Sequence, residues 1–429
     1  MKIHIDLDAF FVSAERTRDN RLHHRPVAVG GRGDTYIFDT QSGHQNFDLE
    51  NHGAFLGAFF QTYDPTQHDI QKFLDSQGRV RGIITTASYE ARKYGIKTGM
   101  SIREALLRCP QLIIKAPNMA LYKQLSHQLH DFLNHRIPLI EQASIDEFYA
   151  DVGGWVDDAQ VPNFIDKLRN EIQHTLSLPV SIGAAHSKAI AKLATNRAKP
   201  FGCKTIYPDE LFDFIDDIPV GDFPGIGRSM QKKLQMFQIH TLGQLRRNQG
   251  IVSSWGPYAK TIYQHVIGQD THKINPLHVR KSIGISRTFD PLYNRAELRR
   301  RIIILSRHLA HAVIHLDVLP TTYHLSIRYE YSQKSHANTT ESRLFNETWF
   351  RDLCLCLFDK ADLHKNDKIL RLSISCSHFT CNSRRSLSLL HYEEDRKEYQ
   401  FSQKMAAIRK RHGLDMLRWG SEMALKKPL

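Results

Sequence analysis

Apolar and polar positions divide the chain into strand-like and helix-like stretches from its first residues. Residues 3–8, Ile-His-Ile-Asp-Leu-Asp, alternate with the two-residue period of a strand and run into a helix-like stretch from Phe11 to Arg18. Residues 26–30 read as a second strand ending in a glycine turn, and 82–95 as a strand, a short helix and a glycine stop. Leu121, Leu125, Leu129, Phe132 and Leu133 predict one amphipathic helix; Phe164, Ile165, Leu168, Ile172 and Leu176 predict another. A strand at 179–183 precedes a helix over 188–198 that Ser187 can cap. Further on come strands at 323–329 and 369–375, with helices near Arg299–Arg307 and Trp349–Phe358. Such interleaving predicts α+β or α/β sheet domains with helices packed on them. Residues 33–79 follow no clean period; they mix aromatics with turn residues and read as an inserted subdomain.

Two acids interrupt an apolar strand-like run at Ser144-Ile145-Asp146-Glu147-Phe148. Neighbouring carboxylates in an apolar setting suppress each other's ionisation unless a cation compensates. The strand period places Asp6 and Asp8 on one face, so neighbouring strands would bring three or four carboxylates together. Asp146 and Glu147 can serve one site only at a strand end or turn, because adjacent strand residues point to opposite faces. Oxygen donors alone favour Mg²⁺ or Mn²⁺ over zinc, and such sites typically share their metal with substrate phosphates. Taken singly, each motif is equally compatible with a solvated strand edge or a turn.

At 429 residues, and about 100–200 residues per domain, the chain predicts two to four domains. The net charge of +13 points to a polyanionic partner, nucleic acid before a membrane surface. From Pro276 onward 27 Lys and Arg stand against 16 acids, so +11 of that charge lies in the last third. The six cysteines match no zinc spacing and read as reduced thiols. No apolar run approaches the roughly 18 residues of a membrane span, and the first residues read as a core strand rather than a signal peptide. A soluble, cytoplasmic protein is expected.

Two further segments suit phosphate. Lys188, Lys192 and Lys199 share the polar face of one helix, which by itself reads as solvated; Lys199, which precedes a Pro-Phe-Gly stop, suits a triphosphate contact. Phe223-Pro-Gly225-Ile-Gly227, between helical stretches and near Lys232, Lys233, Arg246 and Arg247, fits a helix-hairpin-helix whose backbone amides approach DNA phosphates.

The ordered set Ile-Asp-Leu-Asp-Ala-Phe-Phe (5–11), Thr-Ala-Ser-Tyr-Glu-Ala-Arg-Lys-Tyr-Gly (86–95), Ala-Ser-Ile-Asp-Glu (143–147), the 181–202 segment, Pro-Gly-Ile-Gly (224–227) and Val-Arg-Lys-Ser-Ile-Gly (279–284) strongly resembles the Y-family translesion DNA polymerases, the DinB-like branch most of all. The resemblance spans nearly the whole chain except 33–79. It implies an α+β multidomain right-hand polymerase: palm over 1–10 and 115–207, small fingers over 11–114 with the insertion at about 33–79, a helix-hairpin-helix thumb over 208–274, a linker at 275–281, an α/β little finger over 282–392 and a helical tail over 393–429. It implies that Asp6, Asp146 and Glu147, with the Leu7 carbonyl, hold two Mg²⁺ ions, Mn²⁺ being an alternative, with Asp8 less clearly a ligand. Thr86, Tyr89, Arg92 and Lys199 would contact the incoming dNTP, and Phe11 would be the steric gate against a ribose 2′-OH. Gly225, Gly227, Arg280 and Lys281 would contact primer-template DNA. The implied activity is low-fidelity, template-directed translesion synthesis by a nucleoid-associated monomer. Residues 386–390, Ser-Leu-Ser-Leu-Leu, stand where relatives carry a sliding-clamp peptide, although Ser386 and Leu390 replace its usual Gln and Phe. A catalytically silent DNA-binding accessory protein of the same fold is the alternative, disfavoured by the intact acids. A nucleotidyl cyclase would have no need of the hairpin and the basic C-terminal domain.

Overall fold

The computed structural model describes residues 1–32, 36–38, 69–75, 78–270, 272–277, 279–380 and 389–423. Two units are distinguished, one holding Met1–Gly31 and the described residues from 69 to 277, the other holding those from Val279 onward together with Ile37 and Phe38.

In the first unit the strands are β1 (Lys2–Leu7), β2 (Val27–Gly31), β3 (Ile83–Ala87), β4 (Ile113–Lys115), β5 (Ile140–Gln142), β6 (Glu147–Asp151), β7 (Val180–Ala185) and β8 (Cys203–Thr205). Five form one sheet in the order β5-β6-β1-β7-β8, antiparallel except for β7 with β8. The first strand in sequence therefore lies at the centre, between β6, which begins at the second acid of the pair, and β7, which precedes the lysine helix. The helices Met119–Asn134 and Val161–Leu176 bury the predicted leucine and isoleucine stripes against this sheet, in a core with Ile3, Ile5, Phe148 and Ile182. Across the sheet, the Lys188–Ala198 helix comes very close to β7. A Cβ on Gly183 would lie 2.2 Å from the Ala191 carbonyl oxygen, so only glycine admits the helix at this distance.

A second sheet, in the order β3-β2-β4, has its own small core of Ile84, Ile96, Ile102, Leu112 and Ile114. Phe73, at the end of the stretch read as an insertion, is part of this core, and buried Asp75 accepts from the Arg79 and Arg81 guanidinium groups beside it. Residues 211–266 fold as short helices around Leu234, Leu242, Leu245, Ile262 and Val266.

The second unit is an antiparallel sheet of β9 (Ser282–Leu292), β10 (Leu319–Tyr329), β11 (Lys334–Thr340) and β12 (Ile369–Thr380), in the order β11-β10-β12-β9. Alternation along β10 buries Tyr323, Leu325, Ile327 and Tyr329 under the helices Arg295–His315 and Glu347–Ala361, leaving polar residues such as His324, Ser326 and Arg328 on the opposite face. Ile37 and Phe38 complete this core. The Phe38 ring meets Phe289 edge-on at 5.9 Å, and the Arg301 guanidinium lies 4.5 Å from its centroid. Of the other aromatics in the 33–79 stretch, Phe47, Phe55, Phe59, Phe60 and Tyr63 lie outside the described residues. The tail helix Tyr392–His412 is keyed to the unit by the buried Arg409–Glu347 pair, and Arg307 reaches Asp415 and Glu422.

Candidate functional site

The acidic site grows from one strand pairing. Asp6 on β1 stands directly opposite Glu147 on β6, and the amide of Leu7 donates to the Asp146 carbonyl at 3.0 Å. β6 begins only at Glu147, so Asp146 lies in the preceding turn and is not bound to strand alternation. This is the geometry the adjacent acids require if both are to face one site. Ser144 Oγ donates to Asp146 Oδ1 at 2.5 Å and fixes that carboxylate.

Two lysines from one helical segment supply the compensating charge. Lys192 Nζ donates to Glu147 Oε2 at 2.6 Å, and Lys199 Nζ, at the helix C-cap, donates to Asp6 Oδ1 at 2.5 Å. Lys188 binds both oxygens of buried Glu141 on β5 at 2.7 Å. The three-lysine face is thus directed at acids of the sheet rather than at solvent. Burial pushes the Asp6 carboxyl up to about 7 despite Lys199, and burial likewise raises Asp146. Burial works against ionised Glu147 too, but His4 and Lys192 outweigh it and hold the carboxyl down at about 2. Burial lowers His4 itself to about 4, so the imidazole is neutral near pH 7 and its Nε2, 3.9 Å from Glu147, forms no ion pair there.

Asp8 takes a different part. It lies past the end of β1, where its carboxylate accepts from Tyr89 Oη at 3.0 Å, Ser181 Oγ at 2.8 Å and the Phe201 amide at 2.8 Å. With those partners Asp8 ties the helix stop and the Tyr89 segment to the strand end. Leu7 closes β1, and Ala9, in left-handed backbone (φ 45°), turns the chain sharply into the Phe10–Arg16 helix. Phe11 on that helix stacks on Tyr122 with centroids 4.4 Å apart and planes 9° from parallel. Thr86 lies on β3 opposite Val29, and the Arg92 guanidinium lies 4.6 Å from the Tyr89 centroid while its Nε donates to the Ala87 carbonyl. The structure therefore brings Asp6, Glu147 and Lys199 together with Asp146 in the adjoining turn, while Asp8 and Tyr89 are hydrogen-bonded to each other. Sequence reasoning missed Lys192, Ser144 and His4 as parts of the site. Only the four-residue spacing from Lys188 could have marked Lys192.

Gly225 adopts φ +95°, and Gly227, beside open space, caps the Arg228–Met236 helix. Lys232 and Lys233 are exposed beyond it. Arg246 and Arg247, which flank the hairpin, both lie beside Asp216, at 3.6 and 3.0 Å. Arg280 and exposed Lys281 precede β9 in the second unit. Residues 386–388 of the clamp-like peptide lie outside the described residues, and Leu390 is 91% exposed.

The site's donors suit a hard divalent cation: three carboxylates, two of them held by ammonium groups in its place. Among known proteins, residues 5–196 match the impB/mucB/samB family, 208–239 the IMS family HHH motif and 280–389 the impB/mucB/samB family C-terminal domain. A DNA polymerase IV of Bacteroides fragilis is 28% identical over 382 residues, covering 87% of this chain and 92% of its own. One of Shewanella frigidimarina is 30% identical over 289 residues, covering 67% and 68%. One of Bacillus anthracis is 26% identical over 434 residues, covering 99% and 94%. In fold, the chain is similar to a Y-family DNA polymerase chimera at TM-score 0.68 and to DinB from Sulfolobus solfataricus at 0.52, each at 20% identity and covering 89% of this chain and 99% of theirs. The opposed acids of β1 and β6, the hairpin and the sheet of the second unit thus fall, in order, within the three matched segments, and the chain belongs to the DinB-like Y-family DNA polymerases.

Proposed function

We propose that this chain is a template-directed DNA polymerase that adds deoxynucleotides to a primer 3′ end with low fidelity and copies past damaged bases. The observation that carries the reading is the opposition of Asp6 and Glu147 with Asp146 in the adjoining turn, three carboxylates converging where two lysines already balance the charge. Asp6, Asp146, Glu147 and the Leu7 carbonyl would hold the divalent ions, two Mg²⁺ with Mn²⁺ as a substitute. Bound there, the ions would supply charge stabilisation for phosphoryl transfer. The chain's own residues do the rest. Lys199 exchanges Asp6 for the phosphates of the incoming nucleotide, and Thr86, Tyr89 and Arg92 hold the same triphosphate. Phe11, backed by Tyr122, occupies the volume of a ribose 2′-OH. The amides near Gly225 and Gly227, with Lys232, grip the DNA backbone, as do Arg280 and Lys281.

We further assign the named domain boundaries given above, a monomeric cytoplasmic state at the nucleoid, and clamp binding through 386–390. Among the described residues no helix is long and apolar enough to cross a membrane. Primer extension with Mg²⁺ and each deoxynucleotide tests the reading, run beside Asp146→Ala and with DNA binding measured for both proteins. Extension by the natural protein alone, with binding by both, supports it. Binding without extension by either leaves a silent accessory protein. Deletion of 386–390 is expected to remove clamp-stimulated synthesis while sparing basal synthesis, and an equal loss of both would reject clamp docking.

A further inference from the structure

We infer that the turn after the last thumb helix carries a second metal site, for a borderline cation such as Zn²⁺ or Co²⁺, built from His265, Asp270 and His272. His265 lies in the last turn of the Pro257–Val266 helix, and the chain then folds back so that all three side chains bring a donor atom within 4.8 Å of one another. His265 Nε2 stands 3.6 Å from Asp270 Oδ1, beyond hydrogen-bond length. It is close to the roughly 3.3 Å that separates two ligands of a tetrahedral ion with bonds of about 2.0–2.1 Å. His272 Nδ1 is nearer the same oxygen, at 2.5 Å in a hydrogen bond that a bound ion would replace, and its side chain is 63% exposed. The two imidazoles meet edge to face at 5.1 Å.

The donor set separates this site chemically from the palm. Two imidazoles and one carboxylate favour zinc, cobalt or nickel over magnesium, with water filling the remaining position. The carboxylate is also held for the role. Asp270 is buried and accepts from the His272 amide at 2.8 Å, the outer hydrogen bond that orients a metal-binding carboxylate.

An ion here would act on the path of the chain. Lys2 Nζ donates to the His272 carbonyl at 2.6 Å, and the Asn275 amide donates to Glu141 Oε2 at 2.7 Å, so residues 272–275 are already fastened to the five-stranded sheet. Joining His265 to His272 through a metal would add the end of the thumb helix to that attachment.

The test uses the full chain with Zn²⁺ or Co²⁺ as the only added transition metal, in excess Mg²⁺. One equivalent should bind, giving visible Co²⁺ absorption and a Zn²⁺-dependent rise in melting temperature. His272→Gln, a change at an exposed side chain, and Asp270→Asn, which keeps an acceptor for the His272 amide, should each weaken binding by ~10-fold or more. Both should melt like the natural protein in EDTA. Asp146→Ala should leave Zn²⁺ and Co²⁺ binding unchanged. Absence of a bound equivalent, retention of full affinity by both His272→Gln and Asp270→Asn, or loss of the ion in Asp146→Ala would each overturn the assignment.

Discussion

Asp6 and Glu147 face one another across the ladder of β1 and β6, and a lysine clasps each, Lys199 on Asp6 and Lys192 on Glu147. The lysines come from one helical segment seven residues apart, so a single element sets the charge balance of the site. Burial raises Asp6 but leaves Glu147 low because His4 and Lys192 favour its charged form. Glu147 is the carboxylate that stays ionised, and Asp6 the one whose charge depends on a cation.

Lys192 and a metal ion must share Glu147, which sets up a competition. Lys192→Ala should lower the half-saturating Mn²⁺ concentration several-fold in the absence of DNA. Loss of the partly buried hydrogen-bonded pair should also cost the metal-free protein about 1–3 kcal/mol. Metal titration and denaturant melts check the two effects together. If neither changes, the pair does not persist in solution.

Phe11 and Tyr122 lie nearly parallel at 4.4 Å, which fixes the Phe11 ring at the start of its helix. Phe11→Ala should raise ribonucleotide relative to deoxynucleotide incorporation at least about tenfold, equivalent to ~1.4 kcal/mol of discrimination. Competition between the two sugars on an undamaged template measures it. An unchanged preference would place the gate on another residue.

Arg409 is buried with Glu347, its Nη1 and Nη2 donating to the carboxylate at 2.5 and 3.1 Å, and Trp419 Nε1 donates to the same carboxylate at 2.6 Å. Removing one partner strands a buried charge. Arg409→Ala should destabilise the second unit by about 3–5 kcal/mol, whereas Arg409→Met with Glu347→Leu should cost much less. Comparing the two melts separates the worth of the pair from the penalty of an orphaned charge.

Phe38 is buried among Phe289, Arg301 and their neighbours, far in sequence from the rest of that core. Phe38→Ala should cost about 3–5 kcal/mol in the second unit, as deletion of a buried ring does elsewhere. Hydrogen exchange across residues 285–313 gives the readout. Protection equal to that of the natural protein would mean that the ring contributes nothing to this core.

The sheet around the acids was legible because period-two alternation and leucine stripes are local signals, and β1, β7 and both long helices fall where those signals placed them. Joining Asp6 to Asp146 and Glu147 needed the motif set as a whole, since nothing near either acid names its partner. Lys192 was out of reach for a related reason. A lysine on a polar helix face reads alike whether it meets water or Glu147, and only the Gly183 contact brings the helix down onto the strands. Phe38 defeated local reading altogether: the aromatics from Tyr36 to Phe73 look like one group, yet Phe38 and Phe73 belong to different cores.

The second unit also buries imidazoles, which sets the direction of its pH response. Burial holds His311 at about 4, with Arg409, His315 and Arg307 acting the same way. Burial, then Arg307, Arg287, His311 and Arg409, lowers His308 well below the usual range. In the unfolded chain both rings take up protons near pH 6.5, while in the folded unit they do not until the pH is far lower. Stability is therefore complete above about pH 6.5 and is lost as the pH falls toward about 4, with His311 alone contributing roughly 3 kcal/mol across the interval. Hydrogen exchange of residues 302–313 should report progressive loss of protection between about pH 7 and about pH 5, after correction for the intrinsic exchange rate. His311→Gln, which keeps a polar side chain but cannot titrate, should flatten that dependence. A slope of equal size in His311→Gln would mean that other groups in the unit govern its acid sensitivity.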